Sequence, residues 1–88
     1  MNKIRRKELA KIVEKLEALD ALRAEIQEEL EAVMDEEQEA LDNMPESLQD
    51  SEKGCQMQEY IDAMQCALDD LENFDVESIM DQLQEVIG

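Results

Sequence analysis

From Ile4 onward apolar residues return every three or four positions, the period of a helix that buries one stripe. Leu9, Ile12, Leu16, Leu19, Arg23, Ile26, Leu30, Val33, Glu37 and Ala40 follow a 3-4-3-4 spacing, with Val13, Leu22, Met34 and Leu41 widening the stripe. No Gly or Pro interrupts this run before Pro45. The pattern therefore predicts one helix over residues 2–43, on the order of 60 Å long at about 1.5 Å per residue. A rod of that length cannot bury its stripe against itself.

Pro45 supplies the end, because its ring disfavours helical geometry at Met44. Residues 44–51 read as a turn, with Leu48 expected to fold back over the apolar end of a hairpin. Ser51 suits the N-cap of a second helix over residues 52–72. That helix carries Met57, Tyr60, Ile61, Met64, Leu68 and Leu71 on one face. Gly54, in its first turn, either permits a close approach to the first helix or frays the start. Asn73, Phe74 and Asp75 read as a joint, where Asp75 can cap a third helix over residues 76–87 and Phe74 can meet Ile79 as a hydrophobic staple. The third helix places Val76, Ile79, Met80, Leu83, Val86 and Ile87 on one side.

Helices two and three together span roughly 50 Å, close to the length of the first. The expected fold is therefore all-α, a single domain over residues 1–88. A long N-terminal helix packs as an antiparallel hairpin against a second helix and a short third helix, coiled-coil-like. The packing or oligomer seam is expected at Leu9, Ile12, Leu16, Leu19, Ile26, Leu30 and Val33, facing Ile61, Met64 and Leu68. Arg23 and Glu37 interrupt the register, which fits a globular hairpin or a register-setting polar contact better than an unbroken two-stranded zipper.

Composition limits how firmly such a seam can hold. Hydrophobic residues are 43% of the chain but aromatics only 2%, so the apolar area comes from aliphatic side chains and six Met. A Met-rich, aromatic-poor core is adaptable and modestly stabilising, and 88 residues lie near the lower size limit for a single core.

Charge is segregated along the chain. Residues 1–23 hold seven Lys/Arg and four acids, net +3, whereas residues 24–88 hold 21 acids and Lys53 alone, net −20, within a total of −17. Such a field excludes free nucleic acid and anionic membranes as partners for most of the surface and favours a cationic protein partner. Self-repulsion also opposes compaction, so burial by a partner or self-association, most simply a homodimer, is expected. The candidate partner-binding acidic face comprises Glu28, Glu29, Asp35, Glu36 and Glu39 on the first helix and Asp62, Asp69 and Asp70 on the second. Lys3, Arg5, Arg6 and Lys7 oppose the helix macrodipole by a few tenths of a kcal/mol each. Asp75, Glu77, Asp81 and Glu85 on the returning arm are expected to compensate them, an external anion or acidic partner being the alternative.

The inventory for chemistry is thin. The chain has no His, the usual general base and metal ligand, and neither a Gly-rich phosphate loop nor a nucleophile elbow. Acids are abundant, yet catalytic carboxylates need burial to shift their pKa, and these fall on the polar face. Asp42 to Lys53 lacks the central Gly of a calcium loop. Cys55 and Cys66, eleven residues apart, would stand about 16 Å apart on one helix, beyond disulfide reach. No enzyme activity, cofactor or metal site is expected. The opening MNKIRRKELAKIV lacks the continuous apolar run of a signal peptide or membrane span, so a cytoplasmic location is the default expectation.

The turn itself is distinctive. Asn43, Pro45, Glu46, Ser47, Leu48 and Gln49, followed by Ser51, Glu52, Lys53 and Gly54, form an N-x-P-E-S-L-Q segment and then S-E-K-G opening a helix. Within residues 35–73 this resembles short, acidic, uncharacterised helical-hairpin proteins of tailed bacteriophages and prophages. Met44 and Cys55 stand where that pattern has Leu and a charged residue. The resemblance implies a phage or mobile-element origin and an intracellular helical hairpin, and it carries over no functional residues. Three readings follow: a self-associating helical adaptor; a nucleic-acid mimic that occupies the basic groove of a host defence or DNA-processing protein; and a small regulator whose basic arm contacts phosphate or an acidic protein.

Overall fold

The computed structural model describes all 88 residues, and every element in it is helical. Helix α1 runs Lys3–Asp42, α2 Glu46–Gln49, α3 Glu52–Glu72 and α4 Val76–Ile87. The long N-terminal helix packs against the arm that returns from the turn, an all-α hairpin of coiled-coil type. Helix α1 passes through two compact units, Met1–Glu25 with Phe74–Gly88, and Ile26–Asn73.

The helix ends follow from local chemistry. The Asn2 side chain caps α1, its Oδ1 accepting from Arg5 N at 2.8 Å. At the other end Pro45 forbids continuation, and the Gln49 side-chain amide donates to the last carbonyl of the helix, Asp42 O, at 3.5 Å and to Met44 O just beyond it at 3.0 Å. The 44–51 segment is more than a turn: Pro45 O accepts from Leu48 N and Gln49 N, winding the four-residue helix α2. Ser51 caps α3, its hydroxyl accepting from Gly54 N at 3.4 Å and donating to Leu48 O. Asp75 caps α4 through Ser78 N at 3.0 Å.

In the Ile26–Asn73 unit, Leu41, Ile61 and Leu68 are buried, with Leu30, Met34, Met57, Met64 and Leu71 half-buried around them. Along α3 the buried and half-buried residues are Gly54, Met57, Ile61, Met64, Leu68 and Leu71, an unbroken 3-4 repeat that leaves Tyr60 exposed. Gly54 is buried for a reason other than the one expected. Its close neighbour is the backbone of α2, at Gln49 and Leu48, rather than α1. Leu48 does not close the end of the hairpin and stays 48% exposed; the buried glycine lets the α2 backbone fill that place.

In the other unit Val76 is 1% exposed, the only fully buried side chain, and Val13 is buried. Leu9, Leu16, Met80, Leu83 and Ile87 are half-buried, whereas Phe74, Ile79 and Val86 remain exposed.

The inward face of α1 is turned from the expected one. Its buried and half-buried residues are Leu9, Val13, Leu16, Asp20, Arg23, Gln27, Leu30, Met34, Glu37, Gln38 and Leu41, a 4-3-4-3 spacing. Every second expected seam residue is replaced by its successor, so Ile12, Leu19, Ile26, Val33 and Ala40 face solvent. Both spacings satisfy helical periodicity, and the stripe is wider than one neighbouring helix can cover. Leu41, one residue before α1 ends, is drawn inward beside the turn.

Candidate functional site

The polar surface takes shape within the Ile26–Asn73 unit. Glu28, Glu29, Asp35, Glu36 and Glu39 lie exposed on α1, and Asp62, Asp69 and Asp70 lie exposed on α3. Their side-chain bonds are local: Gln58 donates to Asp62 at 3.0 Å and Gln65 to Asp69 at 3.1 Å, each across one helical turn of α3. None of the eight carboxylates is in a salt bridge, so the negative charge of this surface is not neutralised from within the unit. The acids occupy outward arcs of two helices and do not converge on a point.

The basic end is equally open. Lys3, Arg5, Arg6 and Lys7 are exposed, and no ion pair joins them to Asp75, Glu77, Asp81 or Glu85. The expected internal pairing is thus not made, because all of these side chains reach into water, where holding two flexible chains together gains little. The ion pair that does form is Arg23 with Asp20, at 2.9 Å, both half-buried on the inward face of α1.

A cleft of ≈ 370 Å³ opens where α1 meets the start of α3, lined by Gln38, Leu41, Asp42, Gln49, Gly54 and Cys55 among others. It offers three amides, the carboxylates of Asp42 and Asp50 and a thiol, and the chain has no histidine. Cys55 and Cys66 are free and exposed. No group of three or more His, Cys, Asp or Glu is arranged to hold a metal ion, and no helix is long and apolar enough to cross a membrane.

The apolar surface is more unusual. Ile12, Leu19, Ile26 and Val33 are 42–53% exposed, and Leu22 beside them is 53% exposed. Leu9, Leu16, Leu30 and Met64 are half-buried and Ile61 and Leu68 buried, so the expected seam splits between an inward and an outward row. Beside that outward row the inward places are taken by Arg23, which the spacing had put in the seam, and by Asp20 and Gln27, which it had not. Their signal lay in the second apolar row, Val13, Met34 and Leu41, which repeats at the same seven-residue interval. No protein-family model, curated protein or solved structure matches this chain.

Proposed function

We propose that this chain is a non-enzymatic protein–protein interaction module, a small acidic helical adaptor that self-associates through apolar rows its own hairpin leaves open. The observation that carries this reading is the choice made at two neighbouring pairs. Asp20 is half-buried while Leu19 is 42% exposed, and Gln27 is half-buried while Ile26 is 48% exposed. Exposing the apolar member of each pair costs hydrophobic free energy that a covering partner returns. The turn motif further suggests a phage or prophage setting, in which the module works inside the host cell.

Sedimentation equilibrium over a wide concentration range tests the reading. The mass is expected to rise from 10.1 kDa toward twice that value. A constant monomer mass, with no protein retained from a host extract, overturns it.

A second reading draws on the unpaired carboxylates of α1 and α3: these would occupy the basic groove of a nucleic-acid-binding protein in place of phosphates. It requires capture of a cationic partner that is lost steeply as salt rises. Retention independent of salt removes it.

A further inference from the structure

We infer that a second copy of this chain docks on one side of the unit formed by Met1–Glu25 and Phe74–Gly88, the side that carries Ile12, Leu19 and Leu22 on α1 and Ile79 and Val86 on α4. The inference rests on the self-association reading above and adds to it the surface.

The two sides of this unit differ in kind. Its inward residues repeat in 4-3-4 order on both helices, from Leu9 on α1 and from Val76 on α4, the spacing of a two-helix seam. Helix α4 belongs to the returning arm and runs antiparallel to α1. In an antiparallel pair the residues immediately before the inward ones fall on one side of the seam in both helices, and those immediately after fall on the other. On the first side stand Ile12, Leu19, Leu22, Ile79 and Val86, each 42–53% exposed. On the second side stand Glu14, Glu17, Glu77, Asp81 and Gln84, with nothing apolar larger than alanine. The open aliphatic stripes of the two helices are therefore neighbours on one side. That is one layer of a helical bundle, apolar where a second layer would lie and polar where water does.

Charge names the occupant. The unit holds seven Lys/Arg and nine acids, net −2 within the chain's −17. A strongly charged partner gains little from so balanced a surface, whereas a second copy meets it with little like-charge repulsion. The balance is reached with both signs in place. Arg5 and Lys15 with Glu8 line the α1 edge of the apolar side and Asp75 stands at the α4 edge, so a second copy finds opposite charges at its rim. A face that meets its own copy is isologous, and the pair closes as a dimer without propagating.

Sedimentation equilibrium of the full chain and its variants tests this. Ile79→Glu/Val86→Glu places four carboxylates in the interface of each dimer and is expected to weaken dimerisation about a hundredfold or more. Ala21→Glu/Gln84→Glu adds the same charge on the polar side and should leave it within about twofold. Ile12→Gln/Leu19→Gln alters the face from the other helix at constant charge, and it too should give monomers. Circular dichroism at dilute, monomeric concentrations should show the helicity of all three variants unchanged, because every altered residue is exposed. A wild-type dimer that both face variants retain overturns the surface while leaving self-association standing. Equal loss in the polar-side variant and in Ile79→Glu/Val86→Glu overturns the surface as well, since charge alone would then explain it. A monomeric wild type overturns both readings. If the face variants of such a monomer lose a protein that the wild type retains from a host extract, the face belongs to that protein and not to a second copy.

Discussion

A methyl group at Gly54 would stand 2.1 Å from the Gln49 carbonyl oxygen and 2.8 Å from that of Leu48. Both are backbone atoms, so relief requires α2 to move as a body. Alanine is ordinarily the better helix former by about 1 kcal/mol, and at an open site Gly54→Ala would stabilise α3. Here the collision outweighs propensity, and the substitution is expected to destabilise the fold by about 1–3 kcal/mol, a loss of roughly 4–8 °C in Tm for each kcal/mol in a chain of this size. Thermal melting followed by circular dichroism reads the sign directly, and a raised Tm would show that the α2 turn yields at little cost. Ser51 works beside it, tying the first turn of α3 to the end of α2 through one hydroxyl. The serine's role was legible from its place before a helical run. The glycine's neighbour was not, because a close approach is a property of two segments, and α2 is only four residues long.

At the level of single helices, limits and caps were written in the residues. Pro45 ends α1, and Ser51 and Asp75 open α3 and α4 through side-chain oxygens that accept from the first turn. Which face of α1 turns inward was a different matter. Ile12 and Val13 are neighbours with opposite fates, 45% exposed and buried respectively, and they separate the two possible seams. Val13→Ala is expected to cost about 1–2 kcal/mol from lost burial. Ile12→Ala should stay within about 0.5 kcal/mol, as surface changes do, when measured by urea unfolding at concentrations where the chain is monomeric. The reverse order would restore the seam through Ile12, Leu19, Ile26 and Val33 as the internal one. The same divergence occurs on α4, where Val76 and Met80 turn inward while Ile79 and Val86 do not.

For the molecule as a whole, a net charge of −17 sets the terms. Self-repulsion works against the folded state, and no salt bridge offsets it among the carboxylates of the acidic face. Added sodium chloride shortens the range of that repulsion to about 8 Å at physiological strength and less beyond it. The Tm is therefore expected to rise by several degrees between low and high salt, and a fall would mean that attractive pairs dominate. Helical content, the position of the break at Pro45 and the separation of a basic start from an acidic remainder follow from local propensity and from charges that any conformation retains. The inward face of α1, the half-burial of Asp20 and Gln27 ahead of Leu19 and Ile26, and the glycine seat under α2 came from packing. A wide apolar stripe admits more than one seam, and only the position of the neighbouring helix and the turn between them selects which rows lose their water.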